Sequence, residues 1–191
     1  MRRVLGLTAG LTLIAVALSP VASAEAACLG AARKCSRDPL ITIDVAAKGT
    51  PRVPQGGRVT YTLKYSMTWM ESFAPYWGSF WVGGRFPKGA RGPAKATLYD
   101  TAGKRIATLP CREYSDGVWC EAGSEIPHEG KVVLTARLAR HGGGAAVAKL
   151  GFDSFDGLNQ QEFERHYKRE RAREKFCNYR FTKTVVTTVH P

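Results

Sequence analysis

Cys111 and Cys120 bracket a turn in the stretch Leu109-Pro110-Cys111-Arg112-Glu113-Tyr114-Ser115-Asp116-Gly117-Val118-Trp119-Cys120. Their spacing constrains the fold more than any other feature of the chain. A four-residue loop from Tyr114 to Gly117 sets Glu113 opposite Val118 and Cys111 opposite Cys120, the facing arrangement that a cross-strand disulfide requires. A two-residue turn at Asp116-Gly117 would pair Cys111 with Ala122 instead. The first arrangement is favoured, and it predicts a stapled β-hairpin in an oxidising compartment.

The first residues fit that compartment. Arg2 and Arg3 give a positive start, Leu5 to Leu18 an apolar run short for a membrane span, and Ala22-Ser23-Ala24 a small-residue cleavage pattern. Residues 1–24 are therefore expected to be a secretory signal, with cleavage after Ala26 nearly as good. Cys28 then lies near the new N-terminus, but Glu25-Ala26-Ala27 lacks the aliphatic residue that a lipoprotein signal places three before its cysteine. A soluble form, secreted and extracellular or associated with the cell envelope, is the expectation. The mature chain is expected to carry no transmembrane segment.

Charge narrows the partners little. The sequence has 28 Lys and Arg against 16 Asp and Glu, and without Arg2 and Arg3 a surplus of ten basic residues is spread along the chain. A diffuse positive field attracts wall polymers, membranes and nucleic acid alike. Solubility explains it most simply, and a nucleic-acid partner is not expected. Five cysteines follow the leader: Cys28, Cys35, Cys111, Cys120 and Cys177. With Cys111 joined to Cys120, an odd one remains. Cys35 with Cys177 is preferred because Cys28 lies on a fraying tip; a local Cys28 to Cys35 bond competes.

Leu40 to Val45 and Arg58 to Tyr65 alternate apolar and polar residues, the second run burying Val59, Tyr61, Leu63 and Tyr65. Further short strands are predicted at Ser79 to Val82, Ala94 to Tyr99, Lys104 to Leu109, Gly117 to Glu121, Lys131 to Leu138 and Ala145 to Phe152, mostly parted by glycine or proline. This pattern argues for an all-β sandwich of Greek-key type. From Asp156 onward the character changes. Asn159 with Glu162 forms a capping box and Leu158 with Phe163 a staple, predicting one charged helix to about Phe176. Phe181 to Val189 is β-branched enough to be a terminal strand.

Gly57-Arg58-Val59-Thr60-Tyr61-Thr62-Leu63, then Arg85-Phe86-Pro87-Lys88-Gly89, then the cysteine pair around its turn, then Gly130-Lys131-Val132-Val133-Leu134, resembles the conserved-repeat domain of unknown function found in bacterial surface and secreted proteins. The resemblance spans residues 40–152. It implies an immunoglobulin-like β-sandwich without known catalytic activity, often strung into extracellular stalks. One copy is visible here, and Met67 to Trp77 replaces the family's usual asparagine-glycine turn. The expected organisation is a signal peptide over 1–24, an N-terminal arm over 25–39, the sandwich over 40–152, and a basic helix plus terminal β-strand over 153–191.

Two features are candidates for contact. The aromatic loop residues Trp69, Phe73, Tyr76 and Trp77 could stack on sugars or bury in a partner, although such rings are more often core. The helix arginines Arg165, Arg169 and Arg173 could meet an anion, although interleaved glutamates suit an ordinary solvated helix. Enzyme signatures are weak. His128, His141, His166 and His190 lack metal-ligand spacing, Trp77-Gly78-Ser79-Phe80-Trp81 lacks the second glycine of a nucleophile elbow, and Asp153-Ser154-Phe155-Asp156-Gly157 lacks the alternating ligands of a calcium loop. No cofactor, metal or catalytic residue is expected. The expected role is a non-catalytic binding or structural module whose partner is a cell-wall glycan or surface protein. The alternative is a small secreted inhibitor of an extracellular hydrolase that inserts the Tyr114 to Gly117 loop. The sequence leaves the oligomeric state open.

Overall fold

The computed structural model describes residues 25–26, 35, 38–69, 78–124, 126–140 and 143–191. In chain order these form β1 (Glu25–Ala26), β2 (Ile41–Gly49), β3 (Arg52–Pro54), β4 (Arg58–Trp69), β5 (Ser79–Arg85), β6 (Lys95–Tyr99), β7 (Arg105–Tyr114), β8 (Gly117–Gly123), β9 (Glu129–Arg137), β10 (Gly144–Asp156), α1 (Gln160–Glu164), α2 (Arg169–Lys175) and β11 (Cys177–His190). The fold is an all-β, immunoglobulin-like sandwich with mixed pairing, curled toward a half-barrel.

The strands follow the path β1-β11-β10-β5-β8-β7-β6-β9-β4-β2, with β3 added in parallel to β11. β7 carries the path from one layer to the other. Its first part pairs with β6 up to Pro110, opposite Lys95, and from Cys111 onward it pairs with β8. Pro110 has no N–H to donate, which suits a point where the ladder changes partner. At the far edge of the second layer, β2 returns to pack near β11.

Alternation builds the core between the layers. Ile41, Ile43 and Val45 of β2, Val59, Tyr61, Leu63 and Tyr65 of β4, Val132 and Leu134 of β9, and Leu150 and Phe152 of β10 all point inward and are buried. Tyr65 stacks against Phe152 at a centroid distance of 4.9 Å, joining the layers.

The C-terminal region differs from the sequence expectation in two ways. β10 continues to Asp156, so a sandwich boundary at 152 falls inside a strand. β11 then pairs with β10 along its whole length, from Asp156↔Cys177 to Gly144↔Val189, and is a working member of the sheet. The predicted single helix is also broken. Asn159 and Glu162 make their reciprocal capping bonds of 2.8 and 3.0 Å, but α1 ends after one turn. His166 takes φ +46°, the left-handed conformation that commonly stops a helix, and the chain restarts at α2 after an extended Lys168.

Candidate functional site

The sheet face turned away from the main core is covered. Alternation puts Phe80 and Val82 of β5 into the core and turns Trp81 outward, and it does the same for Trp119 of β8 and Phe155 of β10. Ala172 and Phe176 pack on these rings. Trp81 meets Phe155 edge-on at 5.0 Å, and Tyr167 closes the margin against Phe176 at 5.4 Å. The burial follows the helix break: α1 buries no residue, whereas Arg169 and Ala172 of α2 and Phe176 after it are buried, Ala172 and Phe176 in the cluster with Trp119.

Charged groups are buried beside that layer. Asp153 of β10 has 0% exposure and Arg169 of α2 only 1%. Asp116, in the β7–β8 turn, accepts from Arg169 Nη1 at 2.8 Å and Nη2 at 2.9 Å, from Arg173 Nη1 at 2.8 Å, from Arg180 Nη2 at 2.7 Å and from Trp119 Nε1 at 3.2 Å. Asp153 accepts from Arg169 Nε at 3.1 Å and from its Nη2 as well, and from Arg180 Nε at 2.6 Å. Three arginines thus share two carboxylates. The guanidinium of Arg169 also lies 4.4 Å from the Trp119 ring centroid, with Arg180 at 4.9 Å, adding cation–π attraction.

The electrostatics follow from this crowding. Burial opposes the charge of Asp116, but the hydrogen bonds and positive charges of Arg169 and Arg180 outweigh it and hold its carboxyl well below the usual carboxylate range. Arg180 is likewise desolvated, yet its bonds to Asp153 and Asp116 raise its affinity for the proton further. Burial also pushes the Tyr114 phenol up.

Two disulfides brace the same scaffold. Cys111 faces Cys120 in the hairpin register and is bonded to it, and Cys35 is bonded to Cys177 with a Cα separation of 5.5 Å. Close by, Leu40 N donates to Asp156 Oδ2 at 2.8 Å, and Ser154 Oγ donates to Oδ1 at 3.0 Å. The N-terminal arm is therefore tied to the end of the sheet where β10 and β11 meet.

The sequence-derived candidates fall in different places. Arg169 turns inward, contrary to a solvent-facing arginine row, because Asp116 and Asp153 lie beneath α2. Arg173 is half-buried on Asp116, and Arg165 is exposed at the helix break. Phe73, Tyr76 and Trp77 lie outside the described residues, as does Cys28; the backbone of Trp69 pairs with Ile41. The hairpin tip is pinned through Asp116, and Tyr114 is half-buried 5.0 Å from the Arg169 guanidinium. The sequence offers Asp153 only within a rejected calcium loop and Asp116 only within the hairpin turn, and it singles out neither Arg180 nor Trp119 as a partner for them. Their signal was a lone charge inside an apolar strand: Asp153 between Phe152 and Phe155, Arg180 between Tyr179 and Phe181. Among the described residues, no group of three or more His, Cys, Asp or Glu is placed to hold a metal, and no helix is long and apolar enough to cross a membrane.

No protein-family model matches the chain, and no curated protein matches it. Comparison with solved structures returns distant likenesses. AggA, the major subunit of aggregative adherence fimbriae type I from Escherichia coli, is 11% identical over 78% of this chain and 95% of its own, with a TM-score of 0.38. Self-complemented MyfA, the major subunit of Myf fimbriae from Yersinia enterocolitica, is 14% identical over 78% of this chain and 99% of its own, at 0.33. AvmM, which catalyses macrocyclization in alchivemycin A biosynthesis, is 10% identical over 81% of this chain and 92% of its own, at 0.36. Fimbrial subunits and a catalyst stand at the same level of likeness, so these matches select no role for this chain.

Proposed function

We propose that this protein is a secreted, non-catalytic binding or structural module that works outside the cell or at its envelope. The observation that carries this reading is the pair of disulfides. One staples the hairpin and the other closes a separation of 142 residues, and structural bonds of this kind persist in oxidising compartments. The buried ion network fits a structural part: its donors and acceptors are turned on one another, which rigidifies the surface under α2. The inhibitor reading needs a hairpin tip free to enter another protein's active site. Asp116 and Tyr114 are instead engaged by α2, which favours the module.

A cell-wall glycan or a surface protein is the partner class proposed, with Trp69, Phe73, Tyr76 and Trp77 as the first contacts to test. Mature protein passed over fractionated envelope should be retained. Retention should fall on replacing Trp69 and Trp77 with alanine while the melting curve stays unchanged. No retention of the wild type removes the binding half of the proposal. Micromolar inhibition across a panel of secreted hydrolases would restore the inhibitor.

A further inference from the structure

β10 runs further than the strand beside it. It pairs with β11 along its whole length, but with β5 only from Phe155↔Ser79 to Lys149↔Arg85. Beyond Arg85 the chain turns away through Phe86 and Pro87, and Ala90 N closes the turn on the Pro87 carbonyl at 2.9 Å. Gly144 to Ala148 therefore have a strand neighbour on one side only, among the described residues. A cleft of about 350 Å³ lies along this open edge, where Pro87, Lys88, Leu138, Ala146, Val147 and Val189 meet. Leu138 and Val189 belong to the main core, so the cleft has an apolar floor.

This edge lacks the devices that keep edges unpaired, which are charge, proline or shortness. β2, at the end of the sheet path, exposes Asp44 and Lys48, and β3 has three residues and ends on Pro54. Gly144-Ala145-Ala146-Val147-Ala148 has neither charge nor proline. Its outward face is apolar as well: Val147 lies directly opposite Val186, and the two are 51% and 57% exposed, a pairing that favours being covered. The borders are cationic. Over 85–95 and 137–152 the sequence contains no aspartate or glutamate, while Arg85, Lys88 and Arg140 are exposed there. A second copy would bring the same cations to the shared edge, whereas an acidic partner complements them.

We infer that Gly144 to Ala148 take up an extended peptide strand of a partner protein, apolar at alternate residues and acidic at its ends. The open stretch fits a strand of about five residues. Its backbone extends the β10 ladder, and its inward side chains fill the cleft over Leu138 and Val189. The inference deepens the surface-protein part of the functional reading and rests on it for the kind of partner.

The test is fluorescence anisotropy of the mature, disulfide-intact protein with a labelled peptide of about seven residues, alternating valine and threonine with glutamate at both ends. It should bind saturably, and the same peptide with lysine at both ends should bind at least about fivefold more weakly. Lys88→Glu should weaken the acidic peptide about fivefold, and Lys104→Glu, in the β6–β7 turn of the other layer, should bind like the wild type. Two further peptides, N-methylated at alternate residues in opposite phase, test the mode of binding on the unmodified protein. A strand added to one edge directs every second N–H toward it, so one phase should lose binding at least about tenfold and the other should keep it. Equal behaviour of the two phases, a flat titration of the parent peptide, or an equal loss in Lys104→Glu overturns the site. A dimer of the protein alone in sedimentation, dissolved by Val147→Lys, also overturns it by giving the edge to a second copy. Peptide binding without envelope retention upholds the edge and removes retention from the functional reading. Retention with a flat titration does the opposite.

Discussion

Arg169 holds Asp116 through two parallel hydrogen bonds of 2.8 and 2.9 Å, and this fork ties α2 to the tip of the β7–β8 hairpin. Because Arg169 is 1% exposed, removing Asp116 leaves Asp153 as the sole carboxylate among the described residues for Arg169 and Arg180, with part of a buried positive charge uncompensated. Asp116→Ala should therefore cost about 3 to 5 kcal/mol, the range for breaking a buried pair. Urea unfolding measures the loss, and hydrogen exchange should show α2 opening first. A loss within experimental error would mean that the network contributes nothing to stability.

The same carboxylate sets an acid limit. Its ordinary value is 3.8, and in the folded protein it is held well below that. The unfolded chain thus takes up the proton first as pH falls. The contribution of Asp116 is complete above about pH 5 and is lost progressively through the acid range below 3.8. The urea midpoint of the wild type should fall steeply there. Asp116→Asn should start lower at neutral pH and show a shallower acid slope. Parallel slopes in the two proteins would remove Asp116 from the acid transition.

Features that depend on near neighbours were legible in the sequence. The alternation of β4, the capping box at Asn159 and the facing cysteines all lie within short windows, where spacing alone fixes geometry. What escaped was long-range. Arg180 reaches Asp116 across 64 positions and Asp153 across 27, and the sequence does not say which strands will be neighbours. The charged run from Arg165 to Lys175 reads as a solvated helix because its glutamates interleave. Only the presence of Trp119 and two aspartates beneath α2 turns Arg169 inward. The β-branched residues from Phe181 to Val189 read as a terminal strand, but the full pairing of β11 with β10 depends on Asp156 and Cys177 meeting after the helices return.

The two disulfides should differ in what they contribute. In the chain-entropy account the stabilisation grows with the loop closed. The sequence separation is 142 for Cys35–Cys177 and 9 for Cys111–Cys120. Replacing Cys35 and Cys177 with serine should then cost about 5 kcal/mol, and replacing Cys111 and Cys120 about 3 kcal/mol. Denaturation of both double variants without reductant gives the comparison. Equal losses would place the effect in native contacts, such as Leu40 with Asp156, rather than in the unfolded chain.

Tyr65 offers a substitution that should strengthen the fold. Its ring is 4% exposed and packs on Phe152, while its hydroxyl is buried without a hydrogen-bond partner among the described residues. Burial pushes the phenol up to about 12, so the folded protein keeps the proton where the unfolded chain, with its ordinary value of 10.0, has begun to release it. Stability linked to Tyr65 is therefore intact below pH 10.0 and declines as pH rises toward the folded value. Tyr65→Phe keeps the ring and removes the unpaired hydroxyl. It should gain about 1 kcal/mol at neutral pH, the lower end of the penalty for an unsatisfied buried group, and should lose less stability than the wild type at high pH. A destabilised Tyr65→Phe variant would show instead that the hydroxyl holds a partner in solution.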